Sequence, residues 1–186
     1  WNFTPAVPND AMAVAGHYNY GNNTAGRCPD IINSLVPWST DMLLFGCANS
    51  LQLMVGDPAQ RGYFMLLSDV TGMAYGRPWC KSPEGLLYFL SNRGDLYSLA
   101  PGGIPEPLSH YKIPRRLRAL NFSSVYVQLA WDDEFDGIHV VVLPFGAGDT
   151  AQTHYFIHRP TSLSFWPMNY GSTRQPTAIM VRDGDT

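Results

Sequence analysis

Hydrophobic and polar residues alternate along most of this chain, and short polar turns, not helical spacing, interrupt the alternation. In "GLLYFLSNRGDLYSL" (85–99) an apolar-rich run ends at Ser91-Asn92-Arg93-Gly94 and a second run follows, the pattern of two antiparallel strands joined by a tight loop. Two other stretches are built the same way: "DMLLFGCANSLQLMVGDP" from Asp41 and "GIHVVVLPFGAGDTAQTHYFIH" from Gly137. The three units start about 44 and 52 residues apart, near the ~40–50-residue period of propeller blades.

The intervals supply the remaining strands that such a unit needs, since a blade is a four-stranded antiparallel sheet. "NSLVPW" (33–38) and "YFMLLS" (63–68) flank the first hairpin, "GMAYGRPWC" (72–80) and "EPLS" (106–109) the second, "SVYVQLAW" (124–131) and "SLSFWP" (162–167) the third. The expected fold class is therefore all-β: a β-propeller-like array of four-stranded antiparallel blades over residues 31–170. The blades fall at about 31–69, 72–109 and 124–167. Residues 1–30 are expected to be irregular or to end a preceding blade, and "TAIMVRD" (177–183), within 171–186, to open another. Three blades fall short of the ~4–8 of a closed ring, so the chain reads as a partial propeller and a fragment of a longer polypeptide.

One helical signal breaks the pattern. In "KIPRRLRAL" (112–120) Pro114 suits a first helical turn, and Ile113, Leu117 and Leu120 fall on one face. Arg115, Arg116 and Arg118 then point mainly the other way, beside His110 and Lys112, as the one basic cluster of the sequence. A solvated face is the simple reading of such a cluster, and contact with an acidic neighbour or nucleic acid the functional one.

Composition narrows the classes. The chain has 186 residues, 45% hydrophobic and 13% aromatic, which suffices for a sizeable core and argues against disorder. Its 17 glycines and 15 prolines fit frequent turns between short strands. A formal net charge of −3 gives no global basic excess for nucleic acid. No run approaches the ~20 consecutive apolar residues of a membrane-spanning helix. Cys28, Cys47 and Cys80 are odd in number and widely spaced, so they read as buried free thiols and not as a disulfide framework or metal knuckle.

The sequence offers no reaction. "WDDEFDG" (131–137) places Asp132, Glu134, Asp136 and Gly137 at calcium-loop positions, but Leu143 stands where the bidentate glutamate belongs, so the stretch reads as an acidic hairpin turn. His154 and His158 have the spacing of two ligands on a helix; the surroundings read as strand, where they sit ~13 Å apart. No nucleophile elbow and no phosphate loop occur. Asp41, Asp69, Glu84, Asp95 and Asp136 all fall in expected turns without pairing as acid and base. Catalytic, cofactor-binding and metal-ligating residues are therefore assigned to none of the positions, and no cofactor is expected.

The string "LVPWSTDMLLFGCANSLQLMVGDP" followed by "LLSDVTGMAYGRPWCKSPEGLLYFLSNRGDLYSLAPGGIPEPLS" resembles the propeller portion of tail nozzle, or tail tubular, proteins of short-tailed bacteriophages. The likeness covers roughly residues 31–170 and lies in hairpin motifs. It implies a virion structural protein of the phage tail, not an enzyme. Such proteins form a homo-oligomeric ring, usually of six copies, against portal, adaptor and other tail proteins, and double-stranded DNA passes through the lumen without specific binding. On that reading Arg115, Arg116 and Arg118 are expected to face a neighbouring protein or solvent away from the channel, meeting acids such as Asp132, Asp133 and Glu134. The alternative is a propeller that binds a host receptor or glycan, with "YFIHRPTSLSFWPMNY" (155–170) contributing an aromatic surface; a propeller glycosidase is the third reading.

Overall fold

The structure, a computed structural model, describes residues 28–57, 62–109, 112, 114–145, 153–158, 163–170, 176 and 178–180. Its chain is all-β. β1 (Ile32–Ser39), β2 (Met42–Cys47), β3 (Leu51–Val55) and β4 (Tyr63–Ser68) form one antiparallel sheet in chain order. After β5 (Gly76–Arg77), a second antiparallel meander comprises β6 (Trp79–Lys81), β7 (Leu87–Leu90), β8 (Leu96–Leu99) and β9 (Glu106–Pro107). The third comprises β10 (Val125–Asp132), β11 (Gly137–Pro144), β12 (Thr153–His158) and β13 (Ser164–Met168).

Alternation along the strands decides how these sheets stack. Leu87 and Phe89 of β7 join Val36, Leu44, Leu51 and Leu53 of the first sheet in one core cluster. Tyr88 and Leu90, pointing the other way, join Val127, Leu129, Ile138 and Val140 of the third sheet in another. The middle sheet is thus covered on both faces, and each fully buried Leu or Phe contributes roughly 1.5–3 kcal/mol of transfer free energy. On the far face of the first sheet, Phe45, Cys47 and Met54 form a smaller cluster with Leu43 and Phe64.

The connecting segment 72–77 is the axis of the stack. Met73 N–H donates to the Cys47 carbonyl, Ala74 N–H to that of Leu90, and Val127 N–H donates to the Tyr75 carbonyl. Backbone bonds from three consecutive positions therefore reach all three sheets. The expected continuous strand 72–80 is split here, which is a departure from a purely antiparallel arrangement. Pro78 has no N–H to offer a ladder, and the half before it, β5, pairs instead in parallel with β10, Gly76 opposite Val127. Gly76 has φ +111, and a Cβ there would lie 2.8 Å from the Val127 carbonyl oxygen, so only glycine permits the approach. Lys81 fastens β6 to β1, its Nζ donating to the carbonyl of Trp38 at 2.9 Å and to that of Pro37.

The turn at 91–94 closes as its residues predict. The Ser91 hydroxyl accepts the N–H groups of Arg93 (3.2 Å) and Asp95 (3.1 Å), and Gly94 takes φ +81. The helix expected over 112–120 is one turn, α1 (Arg115–Arg118). No side chain caps its N-terminus and no acid stands in its first turn, so little beyond the burial of Leu117 holds it. His110 and Ile113 lie outside the described residues, as do residues 1–27, the Arg116 side chain and most of 171–186. Of the strand expected at 177–183, residues 178–180 are described and carry no strand, although Ile179 N–H donates to Gln128 Oε1 on β10. Among the described residues no helix is long and apolar enough to cross a membrane.

Candidate functional site

The strongest polar constellation lies on the face of the third sheet turned away from the core. Strand register puts it there: Ala130 pairs with His139, His139 with Phe156, Val141 with His154, and His154 with Met168. These alternate positions face away from Val140, Tyr155 and Ile157, which lie in the core. Asp132, at the end of β10, accepts a hydrogen bond from His139 Nε2 at 3.0 Å. His139 Nδ1 is 3.0 Å from His154 Nε2, and His154 Nδ1 is 2.7 Å from the Tyr170 hydroxyl. The four side chains make a diagonal line across three strands to Tyr170, two residues beyond β13.

Hydrogen-bond bookkeeping orients the Asp132 end of the line. A carboxylate only accepts, so His139 donates to Asp132 through Nε2–H, and the tautomers of the two rings set the direction of the other two bonds. Burial draws the Asp132 pKa upward, but the bond from His139 and the N–H groups of Phe135 and Glu134 outweigh it, leaving the carboxyl below its ordinary value. Burial, with the charge of His139 second, lowers His154 to about 4, so this ring is neutral near pH 7. The line therefore joins an exposed phenol to a carboxylate through two imidazoles.

Aromatic rings frame it. Tyr170 stacks on His154 at 5.6 Å with the planes 3° apart, and Phe156 lies 4.9 Å from His139. The Phe156 ring sits over Gly137, where a Cβ would come within 2.2 Å of it. Phe135, Trp166, Met168 and Tyr170 are exposed along this face.

The four residues lie apart from the two main clefts described. One of about 700 Å³ is lined by Asn33, Tyr75, Asn92, Asn121, Phe122 and Phe145, among others. Another of about 480 Å³ is lined by Arg77, Trp79, Lys81, Ser82, Asp133 and Ile179, among others. None of Asp132, His139, His154 and Tyr170 lines either cleft.

The residues singled out from the sequence distribute as follows. His154 and His158 share a strand and a face, as the strand reading requires, and His154 has His139 as its partner. Asp132 caps the acidic turn, accepting from Glu134 N–H at 3.0 Å and Phe135 N–H at 3.1 Å. Asp41, Asp69, Glu84, Asp95 and Asp136 lie between strands. Arg115 and Arg118 are exposed on α1, opposite buried Leu117. Sequence reasoning missed the Asp132–His139 contact, although the hairpin register, with Asp132 opposite Gly137, would have placed both on one face. It also missed the approach of Cys28 to Cys47, which depends on pairing between distant segments. Among the described residues no group of three or more His, Cys, Asp or Glu side chains could hold a metal ion. Compared with known proteins, the chain matches no protein-family model and no curated protein.

Proposed function

We propose that the chain is a structural module: the propeller part of a ring-forming virion protein of the tail-nozzle type, and not an enzyme. One observation carries the propeller reading. The three meanders follow one another in chain order, and the strands that open them, β1, β6 and β10, draw together around β5, which pairs in parallel with β10 while segment 72–77 bonds to every sheet. Blades set around a common axis would have this arrangement of opening strands. A closed circle takes ~4–8 blades, so three make an arc whose end sheets offer their outer faces to further blades.

The nozzle role itself rests on the sequence resemblance over residues 31–170. On this reading several copies, six in the resembled family, assemble about an axis between portal, adaptor and tail proteins, and DNA traverses the lumen without specific contacts. Exposed Trp166, Met168 and Phe135 suit packing against a neighbour. Arg115 and Arg118, together with Arg116, would be turned from the DNA path toward solvent or an acidic neighbour. Measuring the mass of the native assembly tests the proposal. Several copies about one axis are expected; a monomer at every concentration, or one that binds a glycan array, would contradict it.

A further inference from the structure

Three widely spaced cysteines suggest three isolated thiols, but the fold brings two of them together. Cys28 Sγ and Cys47 Sγ are 3.2 Å apart. Cys47 ends β2 and is fully buried, whereas Cys28 is only half-buried. Their approach is built into the local structure. Asp30 clamps residues 28–31 across the β2–β3 turn: Oδ2 accepts Asn49 N–H at 2.7 Å and the Ser50 hydroxyl at 3.2 Å, and Oδ1 accepts Ile31 N–H at 2.8 Å. Ala48 N–H donates to the Ile31 carbonyl at 2.8 Å, closing the same junction.

We propose that Cys28 and Cys47 form an intramolecular disulfide, a modification site whose oxidant is a low-molecular-weight disulfide. The sulfurs need only close from 3.2 Å to the ~2.05 Å of a bond. The Cys28 thiolate attacks one sulfur of the small disulfide, forming a mixed disulfide and expelling one small thiolate. Cys47 then gives up its proton, its sulfur attacks Cys28 Sγ, and the second small thiolate leaves. Each cysteine sulfur is oxidised by one electron, and the small disulfide, taking up two electrons and two protons, leaves as two thiols.

The order of the two steps follows from the surroundings. Cys28 reaches solvent, while burial and the neighbouring Cys28 push the Cys47 thiol up to about 12, which makes Cys47 the resolving sulfur. Cys80 stays out of the reaction: it is buried in the cluster between the second and third sheets, and that burial pushes its thiol up as well. The bond would close a loop containing all of β1 and fix residues 28–31 over the Phe45–Met54–Phe64 cluster. An oxidising compartment would thus staple the outer end of the first sheet, and a reducing one would leave it held by Asp30.

The test is to incubate the whole native chain with oxidised glutathione, then count thiols under denaturing conditions and map the unreduced peptides. Expected are loss of two of the three thiols, a mass lower by two hydrogens, and one peptide joining positions 28 and 47. The thermal midpoint should rise on oxidation and fall back with dithiothreitol. Cys28→Ser, at a half-buried position, should retain both remaining thiols and show no such response. A glutathione adduct persisting on Cys28, a cross-link between two chains, or survival of all three thiols would overturn the proposal.

Discussion

The middle sheet and the third sheet begin from the same sequence device, an alternating hairpin, and end in different chemistry. In β7 both sets of alternate side chains are buried, Leu87 and Phe89 toward the first sheet and Tyr88 and Leu90 toward the third. The thiol of the neighbouring β6, Cys80, is held protonated by burial in the same stack. In β11 and β12 one set is equally apolar, with Ile138, Val140, Tyr155 and Ile157, but the other carries His139 and His154 in line with Asp132 and Tyr170. Position in the stack, and not the hairpin itself, decides where a titratable group can stand. A strand sandwiched on both sides has no room for a charge that burial would penalise, whereas an outward face can keep one with its partners.

Truncation should separate the two sheets most sharply. Phe89→Ala removes a ring that is completely buried and stacked on Tyr97 at 5.3 Å, and should cost about 3–5 kcal/mol in chemical denaturation. A cost under about 1 kcal/mol would mean that the middle sheet is not covered on both faces.

Acid should act on the third sheet. The folded-state pKa of His154, about 4, lies below its ordinary value of 6.5. The neutral ring's stabilising contribution is therefore complete above about pH 6.5 and is lost as pH falls toward 4, by up to roughly 3 kcal/mol. Asp132, also lowered, adds a loss as the pH falls below the ordinary carboxylate range. Unfolding free energy measured from pH 7 to pH 4 should show this slope, His154→Phe should flatten it, and Phe89→Leu should leave it unchanged. An unchanged slope in His154→Phe would remove the histidine from the explanation. The smallest effect is expected for Trp166→Ser: at 61% exposed, the ring should change the stability of an isolated chain by no more than about 0.5 kcal/mol.

Much of the strand content was legible because period-two alternation and turn chemistry are local. "YFMLLS" is β4, the Ser91–Gly94 turn closes the β7–β8 hairpin, and the acidic stretch after Trp131 is the hairpin turn it was read to be. Less local features were harder to read. The split of the strand at Pro78 arises because Gly76 can approach Val127, a residue about fifty positions away, and nothing near Gly76 announces it. The helix of 112–120 shrank to one turn because spacing of apolar residues marks a face but not a cap. The line from Asp132 to Tyr170 needs four segments in register, and the Cys28–Cys47 approach needs the clamp of Asp30 on the β2–β3 turn. Both are products of pairing, which the order of residues alone leaves open.

Amide hydrogen exchange, resolved by residue, bears most directly on the stack built around segment 72–77. Slowest exchange is predicted for Met73, Ala74, Leu90 and Val127, whose N–H groups donate to Cys47, Leu90, Pro78 and Tyr75 and whose neighbours belong to different sheets. The amides of β4 and β13, at sheet edges, should exchange well before them. Exchange of Ala74 and Leu90 as fast as that of β4 and β13 would show that segment 72–77 does not tie the three sheets together, and would contradict the arrangement described.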